Sequence, residues 1–218
     1  MTEIYLVSPP KITLSEFLPH LHAVLGTGHV RSFQLRLKEA KDEEILEAAK
    51  AMLPLCHARE CAFILNDRAY LAAAIGADGV HLGQDDMSVK DARKILGDQK
   101  IIGVSAHASK HLAMDAGEQG ADYVAFGAFY PTTSKPQEKI DKWGVPSPDI
   151  LHWWSTHTTL PCVAIGGITP ANCTPLVEAG ADFIAAITSV WNAPAGPTQA
   201  VINFQQAIEA SQAARKGE

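Results

Sequence analysis

Short apolar runs rich in β-branched residues alternate with longer stretches of helical periodicity along the whole chain. Eight of these runs read as strands: Ile4–Ser8, Ser32–Arg36, Ala62–Asn66, Gly79–Leu82, Ile101–Ser105, Tyr123–Gly127, Pro161–Gly166 and Phe183–Thr188. Several are nearly continuous in apolar residues, as expected of parallel strands buried on both faces. Between them the spacing predicts helices over Leu14–Leu25, Asp42–Cys56, Arg68–Ile75, Val89–Leu96, Lys110–Gln119, Asp149–Ser155 and Pro170–Ala179. Thr198–Arg215 closes the chain as an amphipathic helix, with Val201, Phe204 and Ile208 on one face. Thr13-x-x-Glu16 reads as a capping box ahead of the first helix.

A short repeat supports this βα alternation. Gly76-Ala77-Asp78 recurs as Gly120-Ala121-Asp122 and as Gly180-Ala181-Asp182, each time where a helix ends and a strand begins. The glycine suits a left-handed helix C-cap, where a Cβ would clash. The copies precede the fourth, sixth and eighth strands, and alternate strands of a closed barrel share inner layers. Eight βα units without a break in composition predict a single (β/α)8 TIM barrel over residues 1–218, an α/β fold. An open doubly wound sheet is the alternative. It has less use for eight evenly spaced strands, and no GxGxxG or Walker A pattern supports a nucleotide fold. The one long loop, Ala128–Pro148, follows the sixth strand, and loops of that length in compact chains are usually functional.

Composition narrows the class of function. The chain has 218 residues, 47% hydrophobic and 19% charged, enough apolar residues for a full core and incompatible with disorder. Its net charge of −6 argues against non-specific nucleic-acid binding, which needs a basic surface. No apolar run approaches the roughly 18 residues of a membrane span, and the first residues do not form a signal peptide. Cys56, Cys61, Cys162 and Cys173 lack metal-site spacing and read as reduced thiols. These features together predict a cytoplasmic protein that acts on small molecules, without nucleic acid or membrane as partner. A homo-oligomer is compatible with all of them.

The chemistry of a (β/α)8 barrel sits at the C-terminal ends of its strands. Gln34, Arg36 and Lys38 alternate along the second strand, so they share a face, while Leu35 and Leu37 point into the helix layer. Inward-facing Arg and Lys call for an anion or for acidic partners such as Asp67, Asp85 or Asp86. Asp67 and Asp86 end adjacent strands, and two facing carboxylates repel unless a cation lies between them. Hard oxygen donors beside phosphate-binding bases suit Mg²⁺, although Asp67 also reads as a helix N-cap. Asn66 adds a neutral donor. Gly166 and Gly167 follow the seventh strand, where glycine N–H groups form a phosphate cup in many barrels, and Ile187 and Thr188 would complete it. His107 reads more readily as a hydrogen-bonded structural group than as an acid or base. His81, Trp153, Trp154 and Cys162 read as packing. A basic site with a metal and a separate monophosphate cup describe a two-substrate transferase that displaces pyrophosphate.

The motifs Gln34-Leu35-Arg36-Leu37-Lys38, Leu65-Asn66-Asp67-Arg68, Gly79-Val80-His81-Leu82-Gly83-Gln84-Asp85-Asp86, Gly103-Val104-Ser105-Ala106-His107, Pro131-Thr132-Thr133-Ser134-Lys135 and Ala164-Ile165-Gly166-Gly167-Ile168 occur in this order at barrel spacing. Over nearly its full length the chain resembles the thiamine phosphate synthase family. The resemblance implies coupling of hydroxymethylpyrimidine diphosphate to hydroxyethylthiazole phosphate with release of pyrophosphate, by a dissociative mechanism that needs no protein nucleophile. It implies that Gln34, Arg36, Lys38 and Asn66 bind the pyrimidine diphosphate and that Asp67 and Asp86 hold Mg²⁺. Ser105 and Lys135, with Arg36, would act on the diphosphate or the reacting centre. Thr132, Thr133, Ser134, Gly166, Gly167, Ile187 and Thr188 would hold the thiazole phosphate.

The chain departs from the family pattern at Leu37, where Glu is usual, a position that faces away from the site. The usual Thr-x-Thr-Lys loop is Thr132-Thr133-Ser134-Lys135 here and keeps its hydroxyls. Two rivals remain. One is the thiazole tautomerase branch of the same superfamily, expected to carry a His just after the strand-six Phe-Gly, where this chain has Ala128. The other is a non-catalytic barrel that binds a phosphorylated ligand.

Overall fold

A computed structural model describes residues 1–132 and 137–216 and shows one closed barrel of eight parallel strands in sequential order. The strands are β1 (Glu3–Val7), β2 (Val30–Leu35), β3 (Ala62–Asn66), β4 (Gly79–Leu82), β5 (Ile101–His107), β6 (Tyr123–Gly127), β7 (Cys162–Ile165) and β8 (Phe183–Ala186). The first five helices are α1 (Leu14–Leu25), α2 (Asp42–His57), α3 (Ala69–Ile75), α4 (Val89–Leu96) and α5 (Lys110–Glu118). After β6 come α6 (Gln137–Trp143), α7 (Asp149–His157), α8 (Thr174–Glu178), α9 (Thr188–Trp191) and α10 (Pro197–Lys216). β8 pairs with β1 through Glu3 opposite Phe183, which closes the sheet and leaves no edge strand.

Residues alternate between two cores, as a strand period of two requires. Ile4, Leu6, Phe33, Leu35, Val80 and Phe126 face outward and pack beneath the helices against Leu21, Met52, Trp154 and Phe204. Leu37 lies against this outer core, as its place on the strand predicts. Tyr5, Val7, Ile64, Tyr123, Ala125, Val163 and Ala185 face inward. The small Ala125 and Ala185 leave the C-terminal half of the barrel unfilled, and the cavity described below occupies that space. All four cysteines are buried and free.

The Gly-Ala-Asp repeat has a second function besides its glycine. Gly76, Gly120 and Gly180 all have positive φ, as the C-cap reading expects. The aspartates that follow clamp the floor of the barrel. Asp78, Asp122 and Asp182 each accept a hydrogen bond through Oδ2 from the first residues of the neighbouring strand: Phe63 N–H at 2.7 Å, Ile102 N–H at 2.7 Å and Cys162 N–H at 2.8 Å. The backbone N–H of each aspartate returns a bond to the carbonyl of that same residue. The repeat thus stitches β3 to β4, β5 to β6 and β7 to β8.

Three local readings are corrected. Thr13 stands at the N-cap of α1 but makes no side-chain cap, so the capping box is not formed. Its carbonyl instead accepts from the Phe17 N–H at 2.9 Å. The helix expected over Pro170–Ala179 begins only at Thr174, because Asn172 holds the preceding loop. Its Oδ1 accepts from Thr169 N–H at 2.7 Å and its Nδ2 donates to the Gly167 carbonyl at 3.1 Å. β8 stops at Ala186 because Thr188–Trp191 coils into a short helix. The long loop after β6 carries α6, which the sequence pattern did not signal. No helix among the described residues is long and apolar enough to cross a membrane.

Candidate active site

At the C-terminal ends of the strands lies a cavity of about 290 Å³. Gln34, Arg36, Lys38, Asn66, Asp67, Asp86, Ser105, Thr132, Gly166, Gly167, Ile187 and Thr188 all line it. The structure therefore brings together every site residue expected from the sequence except Thr133, Ser134 and Lys135, which lie outside the described residues. It also places His107, Tyr5, Tyr123 and His81 in the same wall. Tyr5 and Tyr123 were missed, because a tyrosine in an apolar strand looks like core. His81, expected to be packing, is buried but hydrogen-bonded on both ring nitrogens.

One flank is basic and acidic at once. Arg36 is reached by the β2 extension, its own N–H donating to Ser8 Oγ at 2.8 Å. Burial pushes its guanidinium below the ordinary value, and the charge of Asp67 opposes that push. Asp67 follows β3 with φ of 64°, a left-handed conformation that a non-glycine residue adopts at a cost. Its N–H donates to the His81 carbonyl at 2.8 Å, which fixes the turn. Burial raises its carboxyl to about 6, with the neighbouring Asp86 pushing the same way and Arg36 and Arg68 opposing. Asp86 accepts from the Gly83 N–H at 2.7 Å, which closes the turn after β4.

This pair of carboxylates is the observation that bears on a metal. One of them resists ionising beside the other, which is the arrangement a divalent cation relieves. No group of three or more His, Cys, Asp or Glu side chains suited to a metal occurs among the described residues. The donor set fits a hard ion such as Mg²⁺ that takes its remaining ligands from substrate oxygens and water.

The opposite flank is built from backbone. Gly166 and Gly167 have φ of 106° and 61°. A Cβ on Gly167 would sit 2.4 Å from the Pro131 carbonyl oxygen, and one on Gly166 would sit 2.3 Å from the Ala128 Cβ. The glycine pair therefore lets the start of the β6 loop cross the end of β7, where Tyr130 N–H bonds the Gly166 carbonyl at 3.0 Å. Among the described residues, the N–H groups of Gly167, Ile168, Thr188 and Ser189 donate to no backbone acceptor. They line the cavity and suit an oxyanion.

Against known proteins, residues 4–190 match the family model described as thiamine monophosphate synthase. The chain belongs to this family. A thiamine-phosphate synthase from Rhodospirillum centenum is 52% identical over 206 residues, covering 94% of this chain and 97% of its own. One from Erythrobacter litoralis is 48% identical over 193 residues, covering 88% of this chain and 89% of its own. Among solved structures, a thiamine phosphate pyrophosphorylase from Pyrococcus furiosus superposes with a TM-score of 0.83 at 29% identity, covering 96% of each chain. Family membership accounts for the order of the six motifs, each of which puts at least one described residue on the cavity wall.

Proposed function

We propose that the protein, a transferase of the thiamine-phosphate synthase type, couples 4-amino-2-methyl-5-hydroxymethylpyrimidine diphosphate to 4-methyl-5-hydroxyethylthiazole phosphate, or its carboxylated form. Pyrophosphate is released. The observation that carries this reading is the sharing of one cavity by two unlike anion sites. Arg36 and Lys38 stand with the Asp67–Asp86 pair on one side, and backbone donors at Gly167 and Thr188 stand on the other.

Arg36, Lys38 and Asn66 bind the diphosphate by charge and hydrogen bonds. Asp67 and Asp86 would hold Mg²⁺, which when bound would supply further positive charge to the leaving group. The CH₂–O bond breaks, and its electron pair departs on pyrophosphate. The aminopyrimidine ring delocalises the positive charge left on carbon. The lone pair of the thiazole nitrogen then forms the new C–N bond. The chain's part is to stabilise the leaving anion, align the second substrate and keep water out. Thr132 and the backbone donors of β7 and β8 seat the thiazole phosphate. Lys135 acts at the diphosphate end, and Ser105 acts at the pyrimidine that reacts.

The test is an assay of pyrophosphate release and product formation from both substrates, with and without Mg²⁺. Equal yields of pyrophosphate and coupled product, dependent on Mg²⁺ and reduced at least about 10²-fold in Asp67→Ala, are expected. Isomerisation of a thiazole phosphate without pyrophosphate would instead indicate the tautomerase branch. Tight binding without turnover would indicate a non-catalytic barrel.

A further inference from the structure

A file of hydrogen-bonding groups crosses the interior of the barrel. On β2, Gln34 Nε2 donates to the hydroxyl of Tyr5 on β1 at 2.9 Å. The Tyr5 hydroxyl lies 2.8 Å from that of Tyr123 on β6. The Tyr123 hydroxyl lies 2.8 Å from Nδ1 of His81 on β4. His81 Nε2 lies 2.9 Å from Oγ of Ser105 on β5. Tyr5, Gln34 and Tyr123 are buried, as is His81, and all five side chains border the cavity. Gly103 makes the file possible: a Cβ there would fall 1.9 Å from the Tyr123 ring.

Each hydroxyl in the file has one proton, and a neutral imidazole has one N–H. His81 is buried, and its two ring nitrogens meet the neutral hydroxyls of Tyr123 and Ser105, surroundings that favour the neutral ring. A single sense along the file then gives each tyrosine and imidazole proton an acceptor within it, whereas the reverse sense leaves the Tyr5 proton with none. An amide nitrogen only donates, so the sense is set at Gln34. Tyr5 donates to Tyr123, Tyr123 donates to His81 Nδ1, and the His81 Nε2–H donates to Ser105 Oγ. The Ser105 proton is left over at one end. The Gln34 Oε1 lone pairs are left over at the other.

We propose that Tyr5, Tyr123 and His81 are positioning residues whose one-way file makes Ser105 a donor and Gln34 an acceptor toward the cavity, so that the site selects an amino-substituted over an oxo-substituted pyrimidine. This rests on the transferase reading given above. An aminopyrimidine edge offers a donor amino group beside an acceptor ring nitrogen. In the oxo analogue the exocyclic group accepts and the ring nitrogen donates. Against a fixed file both contacts become like against like, and reversal would require all five groups to turn together. Sites built to satisfy a specific polar group reject its mismatch by on the order of 10⁴-fold where both partners are buried.

The experiment compares kcat/KM for the 4-amino and 4-oxo pyrimidine diphosphates in the wild type, in Tyr123→Phe and in Tyr5→Phe. The wild type is expected to favour the amino compound by at least about 10²-fold. Tyr123→Phe cuts the file in two and should lower that ratio at least about tenfold, with the KM for thiazole phosphate unchanged. Loss of activity with the ratio intact in both variants would overturn the proposal, since that is what a merely structural role produces. ¹⁵N NMR of the histidines of the unmutated protein gives a readout independent of turnover. His81 protonated on Nε2 supports the file, and protonation on Nδ1 overturns it. If the unmutated protein makes no product from the amino substrate, the transferase reading fails, whatever the tautomer.

Discussion

The imidazole of His107 lies flat on the indole of Trp143, with ring centroids 4.9 Å apart and planes 7° from parallel. His107 ends β5 in a left-handed conformation, φ 55°, and is one of the residues that line the cavity. Trp143 ends α6, so the stack ties the loop after β6 to the rim. Stacked aromatic pairs contribute about 0.5–1.5 kcal/mol beyond their buried area. Trp143→Ala is therefore expected to lower kcat/KM by roughly threefold to tenfold, with little change in thermal midpoint. It should also let water intercept the reaction. The ratio of pyrophosphate released to coupled product measures this, and a ratio that stays at one would show that the stack does not shield the site.

Asp67 gives a prediction about the metal-free protein. An acid whose carboxyl rises in the fold makes no difference to stability below the unfolded value near 4 and costs stability fully above the folded value. With Asp67 at about 6, the penalty grows between about pH 4 and pH 6 and persists at neutral pH. Asp67→Asn should therefore raise the thermal midpoint of metal-free protein at pH 7.5 while abolishing any stabilisation by added Mg²⁺. A lower midpoint in this variant would contradict the account of Asp67 as a buried carboxyl beside a like charge.

His81 gives a prediction of opposite sign. Its imidazole titrates at about 4 in the fold, below its ordinary 6.5. The unfolded chain then binds more protons between these values, so stability falls as pH drops from about 6.5 to about 4 and levels off below. A shift of this size corresponds to on the order of 3 kcal/mol for a fully buried group. Denaturation midpoints collected from pH 4 to pH 7 should show this slope, and His81→Asn should flatten it. The same slope in both proteins would place its origin elsewhere.

At the other end of the barrel, Asp122 Oδ2 accepts both from Ile102 N–H at 2.7 Å and from Arg93 Nη2 at 2.7 Å. Asp122→Ala removes both partners and leaves a strand N–H without its acceptor. The expected cost is about 2–3 kcal/mol of stability. Because the residue lies far from the rim, both KM values should stay unchanged below the melting transition. Urea denaturation and steady-state kinetics on one preparation check the two halves of the prediction.

Much of this architecture is legible in the sequence, for physical reasons. Apolar runs such as Tyr123–Gly127 are too short for helices and too continuous for half-exposed strands, so the parallel barrel follows. The alternation of Gln34, Arg36 and Lys38 with Leu35 and Leu37 is enough to aim the charges at one face. What the sequence hides is polarity in the barrel interior. Tyr5, Tyr123 and His81 occupy positions indistinguishable from core by pattern, and only the convergence of five strands reveals that their polar atoms meet. Gly103, which reads as an unremarked strand residue, is the trace that was available, since a strand glycine often marks close approach by another group. The clamps escaped for a similar reason. The repeated glycine announces a helix end, but the partner of the aspartate lies on a strand some 15–20 residues earlier. Local patterns such as Thr13-x-x-Glu16 failed where the backbone carbonyl satisfied the helix start by itself.

The three aspartate stitches at the barrel floor divide the molecule into a half that holds and a half that works. Loops at the opposite mouth are free of the duty of keeping the cylinder closed. They can be exchanged, lengthened or reshaped for other phosphorylated substrates while the foundation stays as it is, which makes this chain a practical chassis for grafting new chemistry.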